Sequence, residues 1–178
     1  IVIICFYLYG KMAYSGIYKV KNPKKYRGDF TNVVFRSGWE LKVFIWCDNN
    51  PDVKEWSSEE VIIPYFYAVD KKYHRYFFDV KIKYKSGKTV LVEIKPDKET
   101  ELPKVTRTKK YMTEALTYVK NMNKWEAAEN YAKDRGWEFQ VWTEKTLQEM
   151  KLLQGPAPGK LGKYKPYKPF RKKRRKKL

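Results

Sequence analysis

Three residues stand out for the chemistry they could share. Asp79 lies inside one apolar run, and Glu93 and Lys95 flank Ile94 inside the next, across a Ser86-Gly87 turn. Both runs are rich in Val, Ile, Phe and Tyr and alternate with a period of two, which predicts strands joined by a tight turn. Successive strand side chains point to opposite faces, so Glu93 and Lys95 share a face with Leu91, while Val90, Val92 and Ile94 take the other. If the antiparallel neighbour presents Asp79 on the Glu93 face, two carboxylates and an ammonium converge. Such a set binds a hard divalent cation beside a general acid/base, the outline of phosphodiester cleavage. The competing account is a solvated Asp-Lys-Glu cluster on the surface.

The elements that must position these groups follow from spacing. Ser37 and Glu40 have capping-box spacing, and Trp39, Val43 and Trp46 or Cys47 recur at helical intervals, so a helix begins here and stops at Asp48-Asn49-Asn50-Pro51. Glu40 has two accounts, a cap residue or a third acid pointing into the Asp79 site, and spacing does not separate them. Glu60 to Tyr67, Tyr73 to Tyr84 and Thr89 to Lys95 read as a three-strand antiparallel meander, with Pro64 marking an edge or bulge and Pro96 ending the third strand. Tyr111, Met112, Ala115, Leu116 and Val119 give residues 108 to 122 an amphipathic helical face. Asn123 with Glu126 repeats the cap spacing and predicts a second helix ending near Gly136. Trp137 to Trp142 alternates as a fourth strand, which the long crossover makes parallel to the third, and Thr143 to Leu153 reads as a last helix. This order is an α/β fold: helix, three-strand antiparallel meander, helices, parallel fourth strand, helix.

The 39 Lys and Arg against 20 Asp and Glu give a net charge of +19, which points to nucleic acid or another anionic partner. Eleven of those cations fall in residues 156–178, where no acid interrupts them. The segment from Gln154 onward is Pro/Gly-punctuated and repeats Tyr-Lys-Pro; it cannot bury a core, and residues 154–178 are expected to be a disordered basic tail. Its Lys163, Lys165, Lys168, Arg171, Lys172, Lys173, Arg174, Arg175, Lys176 and Lys177 are candidate nucleic-acid contacts, binding phosphates without sequence preference. Residues 12–35 read as a basic, aromatic N-terminal arm and 36–153 as the folded domain. Residues 1–11 begin with Ile1 and precede a natural-looking start at Met12-Ala13, so they are expected to be a non-native or upstream-translated extension without function. Ten apolar residues there are too few to span a bilayer, which takes roughly 20. Cys5 and Cys47 give no paired spacing, which suits a reducing compartment, and one histidine, His74, argues against a His-rich zinc site or a histidine-based triad. The interleaved aromatics read as core and not as base-stacking platforms.

Glu40, Asp79, Glu93 and Lys95, taken in this order of elements, resemble the PD-(D/E)xK restriction-endonuclease-like nuclease superfamily, although Phe78 stands where the motif name has proline. Longer stretches resemble the head completion nucleases of tailed phages with contractile tails. They include Tyr18-Lys19-Val20-Lys21-Asn22, Arg36-Ser37 with Trp39-Glu40, Trp46-Cys47-Asp48, His74-Arg75-Tyr76-Phe77 with Asp79, Glu93-Ile94-Lys95-Pro96-Asp97 and Arg135-Gly136-Trp137. The resemblance covers about residues 12 to 150. It implies a Mg2+-dependent DNA nuclease with exo- and endonuclease activity, acting in the host cytoplasm on double-stranded DNA when the filled head is completed and joined to its tail. Its partners would be phage head or neck proteins, with no membrane and no small-molecule cofactor. Asp79 and Glu93, with the Ile94 carbonyl, would be metal ligands, Glu40 an additional acidic ligand and Lys95 the catalytic lysine. Two alternatives stay open: a non-catalytic DNA-binding neck protein on a nuclease fold, and a transposon-end or junction-cleaving endonuclease.

Overall fold

The computed structural model describes residues 15–154. The expectations for residues 1–11 and for the tail from Gly155, with its ten candidate Lys and Arg contacts, lie outside the described residues.

Ser37 starts the first helix as its spacing requires. Its Oγ accepts the Glu40 N–H at 3.1 Å, and the Glu40 carboxylate accepts from Ser37 Oγ at 2.9 Å and from the Arg36 N–H at 2.7 Å. This helix, α1, runs Gly38–Asn49, and Asn50, forced extended before Pro51, ends it. Ahead of it, β1 (Gly16–Tyr18) and β2 (Val33–Phe35) pair antiparallel. The N-terminal segment is fastened to α1 by Asp48, a fully buried carboxylate. Asp48 accepts from Tyr18 Oη at 2.8 Å, Lys21 N at 2.7 Å and Asn22 N at 3.1 Å. Lys25 Nζ caps the helix carbonyls of Asp48 and Asn50 at 3.2 and 2.7 Å. Tyr18 and Tyr26, basic-aromatic arm residues by sequence, are therefore core residues.

The central sheet is β3 (Val53–Ser57), β6 (Val80–Tyr84), β7 (Thr89–Ile94) and β8 (Glu138–Trp142), in that spatial order. The first two pairings are antiparallel and β7–β8 is parallel, as the long crossover requires. A type of turn that needs a left-handed residue joins β6 to β7, and Gly87 supplies it at φ 90°.

The strands differ from the sequence reading in one respect that matters for the site. The meander's outer strand is β3, not Glu60 to Tyr67. β3 escaped notice because Lys54 and Glu55 dilute it and a register shift between Val53 and Glu55 breaks its alternation. The run Tyr73 to Tyr84 is two strands, not one. Its first half, β5 (Lys72–Phe77), pairs with β4 (Ile62–Tyr67) in a separate two-stranded ribbon, and the chain changes sheets at Phe78-Asp79. Glu59 N donates to Phe78 O at 2.9 Å and Phe78 N to Val61 O at 3.1 Å, so the ribbon leaves and rejoins the sheet at one point. Pro64 lies in this ribbon, where both strands are edges.

The two expected helices between 108 and 136 are one, α2 (Lys109–Lys133), because no Gly or Pro interrupts it. Asn123 caps nothing within it; its Oδ1 accepts the Ala68 N–H at 3.0 Å and anchors the ribbon. A short helix, α3 (Glu144–Glu149), closes the fold.

The sheet is covered on both faces. Val80, Ile82, Val90, Val92 and Ile94 pack with Val43, Phe44 and Cys47 of α1 and Leu147 of α3. Leu91 packs on the opposite face with Phe78, Ala128 and Ala132 of α2, and the ribbon's Ile63, Tyr65 and Tyr76. β7 is consequently buried at every position, and Glu93, alternating with Leu91, must enter the α2-ribbon side. Some aromatics are not core: Phe66, Tyr73 and Phe77 of the ribbon are exposed.

Candidate active site

Continuing the Val80–Val92 register by one residue sets Asp79 opposite Glu93. The Ile94 N–H, beyond the reach of β6, donates to Asp79 Oδ2 at 2.7 Å and fixes the carboxylate at the sheet's end. In extended backbone a residue's N–H and C=O face the same strand edge, so the Ile94 carbonyl opens on the Asp79 side as well. Glu93 is 1% exposed, and its two oxygens take different partners. Oε2 accepts from the Tyr76 hydroxyl at 2.6 Å, and Oε1 pairs with Lys95 Nζ at 3.3 Å. The structure thus brings Asp79, Glu93 and Lys95 together, as the strand periods predict, with the backbone of Ile94 beside them and its side chain on the opposite face.

Electrostatics mark the same spot. Burial, and after it the Glu93 charge, push the Asp79 carboxyl well above the usual carboxylate range, with Glu40 adding to the effect against Lys95 and the Ile94 N–H. For Lys95 burial works to lower the ammonium's pKa, but Glu93 and Asp79 outweigh it and the net direction is upward. The ammonium stays charged between two acids.

Glu40 stands apart from this group. Its charge reaches Asp79, yet both its oxygens are taken up at the α1 N-terminus by Ser37 and Arg36. Arg36 in turn grips Glu59 through Nε at 2.9 Å and Nη2 at 3.1 Å, holding Glu59 at a left-handed φ of 56° where the ribbon departs. Among the described residues, no three Asp, Glu, His or Cys side chains gather as a metal site.

Two groups were missing from the sequence reading. Tyr76 was hidden because β5 and β6 were taken as one strand, and Lys124 because it lies on α2, far along the chain. Lys124 Nζ sits 4.7 Å from the Tyr76 ring centroid. Burial lowers its pKa, opposed by Glu93 and Asp79, with Lys95 and Lys120 pushing further down. Its spacing of four from Lys120, whose Nζ lies 5.8 Å from the Tyr67 ring, was the available signal. His74 pins the ribbon turn instead, with Nε2 2.7 Å from Asp70 Oδ2.

The donor set suits Mg2+. It consists of hard oxygens, Asp79 Oδ1 accepts no hydrogen bond from the described residues, and Mg2+ is commonly held by one or two carboxylates with waters and substrate phosphate completing the shell. A third protein carboxylate is not required.

Residues 50–144 match the family model described as TnsA-like endonuclease N terminal. That stretch contains Asp79, Glu93, Ile94, Lys95, Tyr76 and Lys124, and leaves Glu40 upstream. The sequence is also 41% identical over 145 residues to the head completion nuclease of Enterobacteria phage T4, an alignment covering 78% of this chain and 97% of that protein. No solved structure matches it. The family match spans just over half of the sequence, so the chain belongs to the TnsA-like endonuclease family, with a restriction-endonuclease-like fold, and is a relative of the T4 head completion nuclease.

Proposed function

We propose that the chain is a Mg2+-dependent DNA nuclease, with exo- and endonuclease activity, that acts in phage head completion and head-to-tail joining in the host cytoplasm. The observation that carries this reading is the convergence of Asp79, Glu93 and Lys95 at the end of β7, with Ile94 N–H holding Asp79 in place. Its relative's name, head completion nuclease, supplies the setting.

Asp79 and Glu93, with the Ile94 carbonyl, are the residues that hold the cation. Bound there, a divalent cation neutralises charge on the scissile phosphate and acidifies a water. Lys95 Nζ, as an ammonium that only donates hydrogen bonds, orients the attacking water and stabilises the charge that develops at the phosphate. The water oxygen bonds to phosphorus and gives its proton to solvent, while the P–O bond to the leaving oxygen breaks and that oxygen takes a proton from solvent. Tyr76 holds one Glu93 oxygen by its hydroxyl and keeps the carboxylate from swinging away. Lys124, half-buried behind the Tyr76 ring, adds a second positive charge near the phosphate.

The test is cleavage of supercoiled and linear duplex with Mg2+ and with chelator. The intact chain cuts both substrates, whereas Asp79→Ala, Glu93→Ala and Lys95→Ala do not. Undiminished cutting by Asp79→Ala or Lys95→Ala rejects the proposed centre, and binding without any Mg2+-dependent cutting identifies a non-catalytic DNA-binding protein. The TnsA-like endonuclease match leaves a second reading, a transposon-end or junction-cleaving endonuclease; preference for such a substrate over plasmid would reveal it. A chain ending before Gly155 retains cutting but binds DNA more weakly and with a smaller salt slope.

A further inference from the structure

The β4–β5 ribbon has two faces of opposite character. Ile63, Tyr65 and Tyr76 turn inward and are buried. The other face carries three cross-strand pairs, Ile62 with Phe77, Pro64 with Arg75 and Phe66 with Tyr73. All six are exposed, including Phe66 at 46%, Tyr73 at 76% and Phe77 at 41%. Exposed aromatics on an edge ribbon invite aggregation unless something uses them.

Charge indicates what that is. No residue of this face is acidic, and Arg75 stands at its centre with its guanidinium carbon 5.5 Å from the Phe77 ring centroid. Lys71 and Lys72, both exposed, extend the positive charge around the turn, while Asp70 is taken up by His74 and the Lys72 N–H. Phe66 and Tyr73 meet edge-on, with centroids 5.4 Å apart. Aromatic faces interleaved with cations form a surface on which unpaired bases stack while the backbone phosphates meet positive charge.

Position links this face to the proposed centre. β5 runs directly into Asp79, so Phe77 is two residues from the carboxylate and Tyr73 is six. At about 3.3 Å per residue the strand covers roughly 20 Å, the length of about six nucleotides at 3.4 Å each. From these observations we infer that the outer face of the β4–β5 ribbon is a stacking platform for single-stranded DNA, a frayed or overhanging strand beside the scissile phosphate. The inference rests on DNA being the substrate.

The test is fluorescence anisotropy with a labelled twelve-residue oligo-dT strand and a blunt duplex of about 20 base pairs, in chelator. The full chain is used at about 0.3 M salt, where purely electrostatic contacts such as those of a basic tail are weakened. Tyr73→Ala and Phe77→Ala each weaken single-strand binding roughly tenfold, and Arg75→Ala does so several-fold, with duplex affinity and thermal midpoint unchanged. Leu102→Ala, an exposed apolar residue elsewhere, has no effect. Unchanged single-strand affinity in Tyr73→Ala, which is remote from Asp79, overturns the inference. So does a shift from dimer to monomer by light scattering without loss of single-strand binding, which assigns the face to a second copy. Because binding is read in chelator without cutting, loss of the platform and loss of the proposed metal centre are distinguished: Tyr73→Ala weakens single-strand binding in the absence of any metal, whereas loss of Mg2+-dependent cleavage in Asp79→Ala bears on the centre alone.

Discussion

The hydroxyl of Tyr76 and the carboxylate of Glu93 are joined by a 2.6 Å hydrogen bond between side chains of residues that are each only 1% exposed. Burial, followed by the charges of Glu93 and Asp79, raises the phenol's pKa well above its ordinary value. Tyr76 therefore remains a donor at any pH where the protein works. A partner that orients a ligating carboxylate is commonly worth ten- to a hundredfold in metal affinity or activity. Tyr76→Phe keeps the ring and removes the donor. It is expected to raise the Mg2+ concentration needed for half-maximal plasmid cleavage by about tenfold and, because a buried Glu93 oxygen loses its donor, to lower the thermal midpoint in chelator by a few degrees. An unchanged Mg2+ requirement removes Tyr76 from the site.

Glu40 separates two roles that the sequence leaves superimposed. Glu40→Gln retains an oxygen to accept the Arg36 N–H and can turn its NH2 to the Ser37 hydroxyl oxygen, but loses the charge that reaches Asp79. Stability is expected to stay within about 0.5 kcal/mol, as for a surface substitution. Cleavage falls only a few-fold, against the near-complete loss in Asp79→Asn. A loss as deep as that of Asp79→Asn would make Glu40 a direct ligand.

Asp48 predicts the opposite outcome, a defect of folding and not of chemistry. Asp48→Ala strands the buried Tyr18 hydroxyl and the N–H groups of Lys21 and Asn22. Leaving such donors unmade costs about 3 kcal/mol together, lowering the thermal midpoint by roughly 6–12 °C. Differential scanning calorimetry measures this, and Mg2+-dependent turnover per folded molecule stays near that of the parent.

Alkaline pH should destabilise the fold through its phenols. Burial raises the pKa of Tyr18 and Tyr26, and pushes Tyr84 up to about 12. Below about pH 10 these groups are protonated in both folded and unfolded chains and contribute no slope. Above it the unfolded chain releases protons that the native state retains, so stability falls by about 1.4 kcal/mol per pH unit for each phenol until its folded pKa is passed. Urea midpoints between pH 9 and 11 measure the slope, and Tyr84→Phe should reduce it by one phenol's share.

What could be read from the sequence was what local rules decide. Ser37 and Glu40 are a cap by spacing, and the Thr89–Ile94 alternation sends Glu93 and Ile94 to opposite faces whatever the rest of the chain does. The parallel β8 followed from the length of its crossover. The rest depended on tertiary choices. β5 and β6 read as one strand because no Gly or Pro marks Phe78-Asp79, the point where the backbone exchanges one hydrogen-bonding partner for another. β3 hid behind its bulge, and Asn123 looked like a cap until the Ala68 N–H claimed its side chain. Tyr76 reaches Glu93 from a ribbon, and Lys124 reaches the Tyr76 ring from a helix, and the docking of ribbon and helix is a tertiary choice.

β5 presents Tyr73, Arg75 and Phe77 to one side and Tyr76 to the other. A single inserted or deleted residue before Tyr76 would exchange the two sets, turning the aromatics inward and withdrawing the hydroxyl from Glu93. The outer surface and the carboxylate's support are thus written in one reading frame. Evolution can retune either face by substitution, but it cannot lengthen the strand by one residue without withdrawing the Tyr76 hydroxyl from Glu93, so the strand's length should vary among relatives in steps of two.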